Sequence, residues 1–163
     1  MTPVTRKLDA PPPVAPSRGE PPRPPVAANT PRVAVVIPCY AQAEFLPDTV
    51  ASVCAQTYRE LEIVIVDDGS PDHTAQVTER LIAAHANRAI GLLRQANQGL
   101  AASRNSGIAA SGAEYVLPLD ADDLLSPGFV EDLVRALDAR PDLSIAYGSL
   151  RYFGEIDEFH VPS

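Results

Sequence analysis

No run of residues approaches the 18 uninterrupted apolar positions that a membrane-spanning helix needs. Behind its first basic residues the N-terminus has no apolar stretch of the kind a secretory signal carries. The chain is therefore expected to be cytoplasmic, or peripheral at the inner face of a membrane, with no transmembrane segment. Cysteine is scarce. Cys39 and Cys54 form neither a CxxC pair nor part of a metal-spaced cluster, and two thiols are too few for a disulfide framework, so reduced structural thiols are the expectation. A basic surface is missing as well: 13 Lys and Arg against 21 Asp and Glu give a formal net charge of -8, the wrong sign for a phosphate backbone, which excludes nucleic acid as a partner. Nothing matches GxxxxGK[ST], no GxGxxG follows the first apolar run and no GxSxG occurs, which argues against a P-loop ATPase, a dinucleotide oxidoreductase and a hydrolase elbow. His73, His85 and His160 have no ligand spacing, and there is no internal repeat.

What the 163 residues do contain is unevenly spread. Ten of the 17 prolines lie within residues 1–31, in runs such as Pro11-Pro12-Pro13 and Pro21-Pro22-Arg23-Pro24-Pro25. Proline fixes φ and removes donors, and this stretch has almost no large apolar side chains to bury, so it is expected to be a disordered or polyproline II leader. A spacer fits its composition better than a ligand for an aromatic groove, and no chemistry is assigned to it. The leader carries a net +2, which leaves -10 on residues 32–163, enough chain for one domain.

In that domain short continuous apolar runs alternate with helical periods, the pattern of a βαβ series on a buried parallel sheet. Val33 to Ile37, Ile63 to Val66, Ala89 to Leu93 and Tyr115 to Leu119 are expected strands, and Ser144 to Tyr147 a fifth. Leu46, Val50 and Val53 mark a helix ending near Thr57. Ser70 and Pro71 are expected to cap and start a second, which carries Val77 and Leu81 inward. A third covers Leu100 to Ala110. A fourth starts at Ser126-Pro127, buries Val130, Leu133, Val134 and Leu137, and stops at Arg140-Pro141. The fold class is α/β: a Rossmann-like, mostly parallel sheet with helices on both faces.

The unusual residues fall at the carboxyl ends of these strands, where open α/β sheets bind ligands. Leu119-Asp120-Ala121-Asp122-Asp123-Leu124 places three carboxylates in four positions. Two like charges about 4 Å apart repel by roughly 4 kcal/mol at an effective dielectric of 20. A divalent cation removes that cost, and a few oxygen ligands with room for phosphate and water suit Mn²⁺ or Mg²⁺. The competing explanation is an exposed acidic turn that caps a helix. A second cluster, Asp67-Asp68-Gly69-Ser70, ends the second strand. With strand order 3-2-1-4 the two clusters flank the first strand about 10 Å apart, within the span of one nucleotide. Turn chemistry accounts for Gly69 and Ser70 and leaves the paired aspartates over; hydrogen bonding to a base or a ribose would use one of them. Arg104, in a helix start crowded with small residues, suits either a phosphate or a salt bridge to the acidic clusters.

Four ordered segments, Val35-Val36-Ile37-Pro38-Cys39-Tyr40, Val66-Asp67-Asp68-Gly69-Ser70-Pro71-Asp72, Gly99-Leu100-Ala101-Ala102-Ser103-Arg104-Asn105 and Leu119-Asp120-Ala121-Asp122-Asp123, together resemble glycosyltransferase family 2, of GT-A fold. The resemblance covers about residues 32–150. It implies an inverting hexosyltransferase that takes a sugar from a nucleotide-diphospho-sugar with Mn²⁺ or Mg²⁺ on the diphosphate and passes it to a polysaccharide, lipid or protein acceptor. Carried over by position, Pro38 and Tyr40 line the nucleotide pocket, Asp68 holds base or ribose, Asp120 lies nearer the ribose and Asp122 binds metal; Arg104 joins the nucleotide-sugar set. The family commonly has Asn where this chain has Ala41. Its catalytic base lies in an acceptor-binding half beyond this stretch, and Glu155, Asp157 and Glu158 come too early to match it, so the expectation is a truncated domain without its base. The alternatives are a non-catalytic nucleotide-sugar-binding module and, with less support because the glycine- and arginine-rich phosphate loop is missing after the first strand, a sugar-nucleotide pyrophosphorylase.

Overall fold

The computed structural model of the chain describes residues 31–153 and 158–161. The leader, Pro31 apart, lies outside the described residues, as do Glu155 and Asp157. The elements run β1 (Val33–Cys39), α1 (Leu46–Cys54), β2 (Leu61–Asp67), α2 (Thr74–Ala84), β3 (Ala89–Arg94), α3 (Leu100–Ala110), β4 (Tyr115–Pro118), α4 (Phe129–Ala139), β5 (Leu150–Tyr152) and β6 (Glu158–His160). Four strands form one sheet in the order β3-β2-β1-β4, every pairing parallel.

β1 is the centre of this sheet because it can be buried on both faces. All seven of its residues are buried, and their alternation divides them between two cores. Val33, Val35 and Ile37 pack with Leu46, Val50 and Val53 of α1, Val77 of α2, and Val130 and Val134 of α4. Ala34 and Val36 point the other way, with Val64 and Val66 of β2. There α3 covers the sheet, and it comes close because residue 107 is glycine: a Cβ on Gly107 would collide with Val36 Cγ1 and lie 3.1 Å from Val66 Cγ2. Helices thus cover both faces, as the sequence predicts.

Several boundaries differ from expectation. Ser144 to Tyr147 is not a strand; it has no ladder partner, and Ile145 and Tyr147 are 76% and 69% exposed. The remaining strands, β5 and β6, pair antiparallel in a separate two-stranded sheet. The first helix stops at Cys54 rather than near Thr57, because the Thr57 N–H donates to the Pro127 carbonyl at 2.9 Å instead of continuing the helix. The fourth starts at Phe129, as the Ser126 and Pro127 carbonyls accept bonds from Gln56 and Thr57. Ser70 does not cap α2. At the start of that helix Asp72 accepts from the Thr74 N–H at 3.0 Å and the Thr74 hydroxyl at 2.6 Å. Among the described residues no helix is long and apolar enough to cross a membrane.

Candidate functional site

The two acidic motifs emerge on either side of the central strand. β1 runs level with Asp67 at Cys39, while β4 leaves its pairing at Pro118, opposite Val36. The chain builds outward from β1 through β2 to β3, then α3 crosses to the other face and delivers β4 to the opposite side of β1. This reversal makes the crevice beyond β1 the topological switch point of the sheet. Two strand spacings, about 10 Å, separate the ends of β2 and β4.

Asp67 and Asp68 have separate roles. Asp67 closes the turn: its Oδ1 accepts from the Ser70 N–H at 2.9 Å and its Oδ2 faces Arg94 Nε at 3.3 Å. Asp68, 3% exposed, turns toward the loop before α3. Its Oδ1 accepts from Gln95 Nε2 at 2.8 Å and the Gln98 N–H at 3.0 Å, and its Oδ2 accepts from the Gly99 N–H at 2.8 Å. Burial disfavours its charge, but hydrogen bonds from Gln95, Gln98, Ser103 and Gly99 outweigh burial and hold the carboxyl below its ordinary range.

Gly69 makes this arrangement possible. Its φ is +71°, and a Cβ there would stand 2.8 Å from the Asn97 nitrogen, so the 95–97 segment passes the β2 end only because no side chain intervenes. Ser70 fastens the turn to the end of β1, donating to the Cys39 carbonyl at 3.4 Å and accepting from the Ala41 N–H at 3.2 Å. Ala41 itself holds φ 55°, the left-handed conformation that asparagine or glycine tolerates better.

Between these segments lies a pocket of about 380 Å³ lined by Pro38, Tyr40, Gln42, Asp68, Asn97 and Leu100, among others. Tyr40 and Leu100 expose about half their surface beside it, at 50% and 51%. Three of the residues expected to bind nucleotide, Pro38, Tyr40 and Asp68, are thus brought together. The other two, Arg104 and Asp120, are not in its lining. Ser103, also in its wall, precedes Arg104 on α3, and Arg104 Nη2 lies 2.5 Å from Asp120 Oδ1. Of the two roles open to Arg104, the salt bridge is the one formed here.

The carboxylate loop is held from below. Ala121 is fully buried, and its carbonyl accepts from the buried Thr49 hydroxyl of α1 at 2.7 Å. Asp122 and Asp123 are exposed and make no ion pair among the described residues. Loss of water, then the Asp122 and Asp120 charges, push the Asp123 carboxyl above its ordinary value. Among the described residues no three His, Cys, Asp or Glu side chains converge to hold a metal unaided. The donors that are present, carboxylate oxygens only, fit a hard cation shared with phosphate and water. The Arg104 Nε is shut off from solvent without an acceptor, which fits a neighbouring anion.

The sequence reading missed Thr49, Gln56 and Gln95. Thr49 and Gln56 are fully buried, polar, and sit on or just past the apolar stripe of α1. A polar residue in a buried phase is itself the signal, because its polar atoms need a partner. Gln56 supplies two, donating to the Ser126 carbonyl at 2.7 Å and accepting from the Val130 N–H at 3.1 Å, which ties the loop after Asp123 to α1.

An open parallel sheet with carboxylates and an arginine at its switch point defines an α/β domain of the GT-A kind. The pattern of glycosyl transferase family 2 matches residues 34–163, and the chain belongs to that family. It is 31% identical over 126 residues to glycosyltransferase GlyG of Streptococcus pneumoniae, covering 77% of this chain and 41% of GlyG. It is 31% identical over 119 residues to the poly-β-1,6-N-acetyl-D-glucosamine synthase of Staphylococcus epidermidis, covering 73% of this chain and 28% of the synthase. The chain thus spans less than half the length of these relatives. Among solved structures it resembles the mannosyltransferase PcManGT of Pyrobaculum calidifontis in complex with GDP-Man and Mn²⁺, with TM-score 0.63 and 28% identity over 66% of this chain and 32% of that one. S. aureus TarS, residues 1–349, shares the fold at TM-score 0.61 and 24% identity over 68% of this chain and 33% of that one.

Proposed function

We propose that this chain supplies the donor-binding part of an inverting glycosyltransferase. A nucleotide-diphospho-sugar lies across the switch-point crevice, its nucleoside in the Asp68 pocket and its diphosphate toward the Asp120 to Asp123 loop, with Mn²⁺ or Mg²⁺ held by Asp122. The sugar passes to a polysaccharide, lipid or protein acceptor. The observation that carries this reading is the joining of pocket and carboxylate loop through consecutive residues of one helix, Ser103 and Arg104. PcManGT, a relative of the same fold bound to GDP-Man and Mn²⁺, supports the donor class and the use of a metal.

Tyr40 and Leu100 offer apolar surface to a base, and Pro38 shapes the wall beneath it. Asp68 fixes the loop that forms the facing wall and lines the pocket on the side of the base or ribose. Asp120, oriented by Arg104, faces the ribose. Asp122 would hold a divalent cation, which would supply charge stabilisation for the departing diphosphate. The acceptor's base is assigned to none of the described residues.

Calorimetric titration with UDP and with GDP tests the reading. One of them should bind at least tenfold more tightly with Mn²⁺ than in EDTA, and Asp122→Asn should remove most of that difference. Equal affinity in EDTA would sink the metal role, and no binding of either nucleotide would sink the donor site.

A further inference from the structure

We propose that Arg104 is the resident counter-ion of Asp120, a positioning residue that keeps the carboxylate loop from taking a divalent cation until a diphosphate arrives. The inference rests on the donor-binding reading above. Arg104 holds Asp120 through one nitrogen, Nη2 to Oδ1 at 2.5 Å, with side chains 35% and 43% exposed. Among the described residues it is the only cation paired with this loop, since Asp122 and Asp123 make no ion pair. Its Nε, out of reach of solvent, has no acceptor. A guanidinium carries five N–H donors in a planar fork suited to phosphate oxygens. Its pairing in the ligand-free protein is thus partial: it neutralises one aspartate and leaves a donor unused.

Two consequences follow from charge alone. A dication approaching Asp122 meets the positive charge of the guanidinium held on neighbouring Asp120. A diphosphate gives the same guanidinium a second anion, which offsets that charge while Arg104 stays on Asp120. Metal and nucleotide therefore strengthen each other's binding, and the coupling is reciprocal.

The experiment measures Mn²⁺ alone, by the electron paramagnetic resonance of the free ion, binding to the full chain and to Arg104→Gln. The neutral variant should bind Mn²⁺ about tenfold more tightly than wild type, roughly the effect of one unit charge on a dication about 5 Å away in a water-like dielectric. Arg104→Met, neutral with different packing, should move the same way. Arg104→Lys should stay near wild type, and so should Arg135→Gln, which removes an equal charge from exposed pairs on α4. The factor by which UDP or GDP tightens Mn²⁺ should shrink about tenfold in Arg104→Gln. Unchanged or weaker Mn²⁺ affinity in both neutral variants, with circular dichroism showing them folded, overturns the proposal. Equal tightening in Arg104→Lys or Arg135→Gln overturns it too. If wild type binds Mn²⁺ with neither nucleotide, the donor reading falls and this inference with it; if it does bind and the neutral variants show no gain, the counter-ion role falls alone.

Discussion

Asp68→Asn changes one atom and leaves volume intact, so its effect isolates the hydrogen bonds at the pocket wall. The carboxylate takes donors on both oxygens, Gln95 Nε2 and the Gln98 N–H on one and the Gly99 N–H on the other. An asparagine has one oxygen to offer. If that oxygen faces Gln98, the new amide N–H₂ meets the Gly99 N–H; if it faces Gly99, the conflict moves to Gln98. Gln95 can rotate its own amide to adapt, but a backbone N–H cannot, so at least one buried donor is left unpaired in either orientation. That costs about 1–3 kcal/mol, and loss of charge assistance on the remaining bonds adds about 1 kcal/mol. A total of about 2–4 kcal/mol is a large share of the 5–15 kcal/mol typical of a folded domain. Urea unfolding followed by circular dichroism measures it. The pH dependence gives a second check. Because the native carboxyl is held below its ordinary value, its contribution is present above about pH 4 and is lost as pH falls through the lower native value. The gap between wild type and variant should therefore close on acidification. A gap under about 0.5 kcal/mol at pH 7, or one that persists unchanged at pH 2, would refute the assignment of these bonds to an ionised Asp68.

Gly107→Ala forces a methyl group into Val36 and Val66, an overpacking cost of about 1–3 kcal/mol set against about 1 kcal/mol of gained helix propensity. A net destabilisation of about 1 kcal/mol in urea, with weaker nucleotide binding as α3 shifts, is expected; a more stable variant would show that the helix has room to move. Ala41→Gly relieves a left-handed φ of 55° and should raise stability by about 1 kcal/mol in thermal melts, where an unchanged midpoint would mean that the conformation is unstrained. Asp123→Asn should stabilise the metal-free protein at neutral pH by no more than about 1 kcal/mol, given its exposure. The native Asp123 carboxyl is pushed up, so wild type loses stability as pH rises through that value and the variant does not. The advantage should vanish at pH 3, and one that survives there would have another origin.

How much of this was legible in the sequence depends on the kind of information each feature carries. The two central strands were readable because their burial on both faces demands continuous apolar runs, as in Val33 to Ile37 and Ile63 to Val66, whereas the edge strands β3 and β4, partly exposed, carry the same signal more weakly. The sheet edge holding the site followed from where Asp67, Asp68 and Asp120 fall relative to those runs. Ser144 to Tyr147 misled because an apolar run records a tendency to be buried without recording whether a neighbouring strand exists to pair with it. Ser70 misled for a similar reason: a serine before a proline suits a helix cap, yet the same hydroxyl is equally suited to fasten two loops, and the choice depends on β1 lying alongside. Asp68's donors come from residues 95–99, and no local pattern links that loop to the β2 end. Gly69 held the clue, since its missing side chain is what lets the loop approach.

The helix α3 has weak amphipathic character of its own, being built largely of Ala, Ser and Gly, and that composition follows from its position. Large side chains on its inner face would hold it away from β1 and β2, as the Gly107 contact with Val36 and Val66 makes plain. Its depth in turn fixes two adjacent positions: Ser103, fully buried and bonded to the Gln95 that braces Asp68, and Arg104, which reaches Asp120. The two acidic motifs are far apart in sequence and on separate strands, and among the described side chains α3 and its leading loop are the bridge between them. A change at Gly107 therefore acts on the pocket and the carboxylate loop together, whereas a change at Asp68 acts first on the loop ahead of the helix. Comparing nucleotide and Mn²⁺ affinities in those two variants separates a site that works as one rigid unit from one assembled of independent halves.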